Sequence, residues 1–169
     1  KDISNWEIDS NDDIGGMFFG AEKMLHYLGT NNLFEGFTPN LSYFLGPYKF
    51  LDSQELYDAV DKWISDESRA RYIYGDINEW DVSAITSFRY LFSNKSTFNA
   101  DISNWDVSNG NDFSGMFYGA SAFNQDIGEW DVSNGTDFSR MFRKTTSFNQ
   151  DIGNWDVSSG TDFSGMFIG

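Results

Sequence analysis

Trp80, Trp105, Trp130 and Trp155 stand 25 residues apart, each inside a copy of one recurring sentence. The copy at 98–122 reads F-N-A-D-I-S-N-W-D-V-S-N-G-N-D-F-S-G-M-F-Y-G-A-S-A. Others begin at Phe123 and Phe148, and 76–97 is a substituted version. A further copy, Asp2 to Gly20, aligns without gaps on 101–119. A fixed period of this length marks a solenoid or array. Each unit buries its apolar face against its neighbours, so added length adds rungs rather than core depth. Lys1-Asp2-Ile3 enters at the position of Ala100-Asp101-Ile102 and Gly169 corresponds to Gly119, as expected of a segment of a longer polypeptide.

Within one unit, 123–147, the residues Ile127, Trp130 and Val132 follow the pattern apolar-x-x-apolar-x-apolar. Leucine-rich repeats use that pattern for a short strand whose alternate residues point inward. Asp131 then points outward between two buried neighbours. Asn134-Gly135 supplies a turn. Thr136 or Asp137 can cap a short helical turn carrying Phe138, Met141 and Phe142 at i, i+3 and i+4. Phe123 closes the loop to the next rung, and the column Trp80, Trp105, Trp130 and Trp155 is core. The expected fold is an α/β repeat: a leucine-rich-repeat-like solenoid with one short parallel strand and one short helical turn per 25-residue rung, plus a capping helix.

The organisation read from the chain has four parts. Residues 1–20 are the end of a first repeat array, and 76–169 form a second array of about four rungs. Residues 21–49 hold both prolines, Pro39 and Pro47, and scattered aromatics, which suits an apolar cover and connector better than a flexible linker. Residues 50–75 contain the capping helix. Asp52 is placed as N-cap with Glu55 as its capping-box partner. Leu56, Ala59, Val60, Trp63 and Ile64 make one apolar stripe, and the helix is expected to fade near Ser68 to Tyr72.

The sentence F-N-x-D-I-x-x-W-D-V-S-x-x-x-D-F-S-x-M-F resembles the 25-residue repeat of BspA-like leucine-rich-repeat surface proteins, the DUF285 type. The resemblance covers 76–169 nearly continuously, together with 2–20, and L-Y-D-A-V-D-K-W-I-S-D-E-S resembles the helix that often opens such arrays. It implies surface or secreted proteins of bacteria, protists and algae, linked in some cases to adhesion. The chain departs from the family pattern at Gly110, Gly135 and Gly160, where valine is frequent, and at Phe113, Phe138 and Phe163, where methionine is common. Ile85 keeps a branched residue in the first rung. The glycines are expected to leave the strand-to-turn corner less packed.

A net charge of −15 argues against binding a phosphate backbone, which needs basic clusters. The chain has no cysteine, hence no disulfide framework and no thiolate chemistry. No apolar run approaches the roughly 20 residues that span a bilayer. Carboxylates are the plentiful reactive groups, in the columns 76/101/126/151, 81/106/131/156 and 112/137/162. Stacked about 5 Å apart, neighbouring carboxylates repel by roughly 3 kcal/mol at an effective dielectric near 20. Backbone amides, solvent or a cation must relieve that. Turn capping is the first reading; calcium along Asp76, Asp101, Asp126 and Asp151 is the second, although no compact D-x-D-x-D-G loop is present. A catalytic carboxylate pair would be one special site, whereas here every rung carries the same residues. The expected enzyme class is therefore none, and no cofactor is required, calcium apart.

Asn99, Asn124 and Asn149 form a column read as a ladder bonding neighbouring rungs, with sugar binding as the alternative. His26 lies in the connector without a nucleophile or ligand at a telling spacing. Glycosylation sequons stand at Asn40, Asn94 and Asn134. The function expected is that of a cell-surface or extracellular protein mediating adhesion or protein–protein interaction, or a structural subunit of an extracellular filament, appendage or sheath. Its partner would be a protein, a glycan or copies of itself. The contact face is assigned to Asp81, Asp106, Asp131 and Asp156 with Ser83, Ser108, Ser133 and Ser158.

Overall fold

The structure, a computed structural model, describes residues 46–169. The expectations for the first array, for His26 and Asn40, and for most of the connector lie outside the described residues.

Helix α1, Ser53–Ser65, starts where Asp52 leaves extended backbone and its side chain accepts the Glu55 amide at 2.9 Å. Its apolar face buries Leu56, Ala59, Val60 and Trp63. Ile64, expected on that stripe, is instead 38% exposed at its edge. The helix does not fade; it breaks. Asp66 donates its backbone N–H to the Lys62 carbonyl at 2.8 Å, while its carboxylate accepts the Arg69 amide at 3.0 Å. One residue thereby ends α1 and caps α2, Glu67–Tyr74, because both orphan groups find a partner there. Gly75, at φ 79°, closes α2 in a conformation that side chains disfavour. A single 3₁₀ turn, Ile77–Glu79, leads into the array.

Each repeat is a succession of tight turns. In 98–123, amide-to-carbonyl bonds join Trp105 to Ile102, Gly110 to Val107, Met116 to Phe113, Ala120 to Phe117 and Phe123 to Ala120 at 2.8–3.1 Å. Consecutive repeats are joined through the F-S-x-M-F segment. The amides of Phe88, Tyr90, Phe92 and Asn94 donate to the carbonyls of Asp112, Ser114, Met116 and Tyr118 at 2.7–3.0 Å. The same bonds recur one repeat on and again after that, and parallel bridges link Ser87, Asp112, Asp137 and Asp162. All these donors point toward the following repeat. The second and fourth donor positions take left-handed backbone: Tyr90, Asn94, Arg140 and Lys144 at φ 55–61°, with Gly115, Gly119 and Gly165 at the matching sites.

The placement of strand and turn therefore differs from that expected. The ladder runs where a helical turn was assigned, because left-handed residues stop a helix there. The Ile-x-x-Trp-x-Val segment, assigned to a strand, opens instead with a turn from the tryptophan amide to the isoleucine carbonyl. Each indole N–H then reaches back to the isoleucine carbonyl of the preceding repeat: Trp105 to Ile77 at 2.6 Å, Trp130 to Ile102 at 3.2 Å, Trp155 to Ile127 at 3.0 Å. A side chain thus takes the acceptor that strand pairing would use.

Between these two segments lies an aromatic core. Phe88, Phe113, Phe138 and Phe163 stack at 5.3–5.5 Å, and Phe92, Phe117, Phe142 and Phe167 at 5.4–5.6 Å. Phe98, Phe123 and Phe148 make a third column at 5.8–6.0 Å. Each stacked pair is worth about 0.5–1.5 kcal/mol beyond simple burial. The glycine corner is not loosely packed, contrary to the expectation. A Cβ at Gly110 would lie 2.5 Å from Phe113 Cζ and 2.9 Å from the Val107 carbonyl, so the phenylalanine ring already fills that space.

Among the described residues the first rung presents carbonyls with no preceding repeat to satisfy them. α1 supplies side-chain donors in their place: Ser53 Oγ bonds the Ser87 carbonyl at 3.0 Å and Tyr57 Oη the Arg89 carbonyl. Lys95 pairs with Asp61 one turn further along the same face. On the tryptophan side, residues 48–50 pair with Asp81 through two 2.9 Å backbone bonds, and Phe50 packs on Trp80 at 5.0 Å.

Candidate functional site

The aspartate columns are built by one local device used three times per repeat. In D-x-S or D-x-G, the carboxylate Oδ1 accepts the amide two residues on, an Asx turn. Ser83, Ser108, Ser133 and Ser158 donate their amides in this way to Asp81, Asp106, Asp131 and Asp156 at 3.0–3.1 Å. Asp112, Asp137 and Asp162 take the amides of Ser114, Ser139 and Ser164 at 2.8–3.0 Å. Each carboxylate therefore holds one geometry, fixed by its own backbone.

The assigned contact residues come together as a column at rung spacing. Asp106, Asp131 and Asp156 are exposed. At Asp106 both the amide and the hydroxyl of Ser108 bond Oδ1, which leaves Oδ2 toward solvent. The serine hydroxyl and amide hold Asp131 below the ordinary carboxylate pKa, and the amide followed by the hydroxyl of Ser158 does the same for Asp156. Asp81 differs. Desolvation pushes its pKa up, but bonds from Ser83 and from Lys49, at 2.9 Å, outweigh that and lower it. The end of the column nearest α1 is thus paired with a lysine, and the remainder faces solvent.

The column Asp76, Asp101, Asp126 and Asp151 serves the backbone. Its Oδ1 atoms accept the amides of Asn78, Ser103, Gly128 and Gly153 at 2.9–3.1 Å. Arg71 engages the second oxygen of Asp76 and Asn78 that of Asp101. Among the described residues no three His, Cys, Asp or Glu side chains converge. Asn99 and Asn124 accept the amides of Asn124 and Asn149 at 2.8–2.9 Å, a ladder that commits their oxygens to the next rung. The sequon positions Asn94 and Asn134 are both exposed, and their side-chain nitrogens donate to the Ser93 hydroxyl at 3.2 Å and to the Ser108 carbonyl at 2.8 Å.

An open cavity of about 700 Å³ lies between the cap and the first rungs, lined among others by Trp63, Glu67, Arg71, Asp76 and Asp101. Its one cation is already engaged: Arg71 bridges Glu67 and Asp76 and lies over the Trp63 ring at 4.6 Å. Desolvation raises the Asp76 pKa, and the Arg71 and Asn78 bonds more than reverse it, so the group is an ionised acceptor rather than a proton donor. Ser53 and Tyr57, the donors that close the first rung, escaped the sequence reading. Their i, i+4 spacing on α1, continued by Asp61, was the available signal.

Among the described residues no helix is long and apolar enough to cross a membrane. A family model described as "Mycoplasma protein of unknown function, DUF285" matches residues 54–169. No curated protein and no solved structure matches the chain.

Proposed function

The chain belongs to the DUF285 family, and from that premise we propose that it is a non-enzymatic binding scaffold of the BspA-like, leucine-rich-repeat solenoid kind, working at the cell surface or outside the cell. Its contact face is the column Asp106, Asp131 and Asp156, with Ser108, Ser133 and Ser158 as the groups that aim the carboxylates. The partner is a surface rich in lysine and arginine. One observation carries this reading: the carboxylates are exposed yet locked by their own Asx turns, so they meet a partner without first being ordered. Pre-ordering lowers the entropic cost of association. The uniformity of the rungs supports a non-enzymatic role, since a reaction centre would be a single departure from the pattern.

The test uses asparagine, which keeps the Oδ1 acceptor and removes the charge. Beads carrying the 169-residue chain should adhere to cells or matrix of the source, more weakly as salt rises. Beads carrying Asp106→Asn/Asp131→Asn/Asp156→Asn should adhere at least about tenfold less, with unchanged circular dichroism and melting. Undiminished adhesion by that variant would sink the proposal.

A further inference from the structure

The array separates its charges by half-repeat. Across 76–169 the thirteen Asp and Glu all fall in 76–87, 98–112, 123–137 and 148–162, while the five Lys and Arg all fall in 88–97 and 138–147. The acidic stretches carry the tryptophan segment and end on Asp112, Asp137 and Asp162, where the backbone ladder begins; the basic ones carry the rest of the ladder. Inward rings of the two segments meet across the core, Phe92 with Trp105 at 5.8 Å and Phe142 with Trp155 at 6.2 Å. Their outward residues therefore face opposite sides of the array. One side presents the aspartate column. The other presents Arg89 over Tyr90 at 5.2 Å, Lys144 against Tyr118 at 5.9 Å, and Arg140 and Arg143.

Two of those cations stand where the fold does not favour them. Arg140 and Lys144 hold φ 57° and 61°, at positions that the repeats on either side fill with Gly115, Gly119 and Gly165. Glycine takes that conformation without the steric conflict a Cβ brings. Strained backbone kept against an available relief points to a role outside folding. Arg143 adds a buried Nε with no hydrogen-bond acceptor on the same side.

We infer that this basic, tyrosine-bearing side docks on the aspartate side of a second copy of the chain. The inference rests on the aspartate column being a contact face and names what meets it. The complement is carried by the chain itself: its cations stand on the first and third rungs, Arg89 and Arg140/Lys144, two rung spacings apart, as Asp106 and Asp156 are. Because the two sides differ, the contact is heterologous and extends into open strings rather than closing as a symmetric dimer. The net charge of −15 makes copies repel at long range. Docking is accordingly a short-range event, strongest near physiological salt, where screening acts over about 8 Å.

Sedimentation velocity of the whole 169-residue chain across concentration, at about 0.15 M salt, tests this. The weight-average sedimentation coefficient should rise with concentration. Arg140→Gly/Lys144→Gly, which copies the neighbouring glycines and so should fold, is expected to shift association to at least about tenfold higher concentration. Asp106→Asn/Asp131→Asn/Asp156→Asn should do the same. Mixed one to one, the two variants should form a dimer and nothing larger, since each keeps one working side. A chain that stays monomeric throughout overturns the inference, as does association that survives in either variant. A monomer retained on dextran sulfate through Arg140 and Lys144 also overturns it and gives the basic side to a polyanion. If self-association is absent while the asparagine variant still loses adhesion on beads, the second copy is wrong and the aspartate contact face stands.

Discussion

Replacing Gly135 with valine places a side chain against a ring held from both sides. A Cβ there would lie 2.8 Å from Phe138 Cε2 and 2.9 Å from the Val132 carbonyl. The carbonyl is backbone, so the ring has to give. Phe138 is fully buried and stacked on both sides, on Phe113 at 5.4 Å and on Phe163 at 5.3 Å. Overpacking costs about 1–3 kcal/mol and a degraded stack up to about 1 kcal/mol more, so Gly135→Val should destabilise by about 2–4 kcal/mol. Gly160→Val makes nearly the same clash, 2.7 Å from Phe163 Cε2 and 3.0 Å from the Val157 carbonyl. There, however, the ring is 40% exposed and can swing away, and the cost should stay under about 1 kcal/mol. The first rung holds Ile85 beside Phe88 in the same relation, and Phe88 stacks on a single phenylalanine, Phe113. Urea unfolding followed by tryptophan fluorescence gives both values. Adding Phe138→Met to Gly135→Val should recover about 1–3 kcal/mol of coupling, because methionine bends out of the corner. Equal losses at 135 and 160, or strict additivity in the double variant, would refute the idea that the stacked ring occupies the glycine's space.

Three more outcomes follow from the same structure. Arg140→Gly and Lys144→Gly should each raise the urea midpoint, since about 1 kcal/mol of left-handed strain is relieved, less the extra chain entropy of glycine. Ser53→Ala and Tyr57→Phe should each cost about 1 kcal/mol in thermal melts, since each strips a donor from a first-rung carbonyl, and Asp52→Ala should cost about as much by uncapping α1. Asp131, Asp156 and Asp162 have folded pKa values below their unfolded ones because serine amides and hydroxyls hold them ionised. The unfolded chain then binds more protons, so this stability is fully present above the ordinary carboxylate range and is lost as pH falls through the lower folded values. Urea midpoints measured from pH 6 down to about pH 2.5 should fall, and the Asp131→Asn/Asp156→Asn variant should fall less steeply.

The start of α1 was legible because capping is local: Asp52 and Glu55 are three residues apart and need nothing else. The break at Asp66 was equally local but was hidden by good helix formers on both sides; only the competing Arg69 amide settles it. Inward columns were legible too, and Ile127, Trp130, Val132, Phe138 and Met141 are all buried. The ladder's location was not. An F-S-x-M-F spacing suits a helical turn, and no pattern announces that Arg140 and Lys144 adopt left-handed backbone, because arginine and lysine carry no turn signal. The carboxylate columns were readable as capped turns from D-x-S alone, yet their opposition to Arg89, Arg140 and Lys144 required knowing which residues turn outward.

By itself, the sequence determines the period, the residues that enter the core, and the sorting of acids and bases into separate half-repeats, since each of these is a property of spacing along one chain. Which half-repeat carries the backbone ladder, that tryptophan indoles replace strand bonds on the other, and that the Asp106, Asp131 and Asp156 column lies opposite the cations are decided only in the tertiary structure. Each depends on the neighbouring repeat, where a donor 24 to 28 residues away completes the bond.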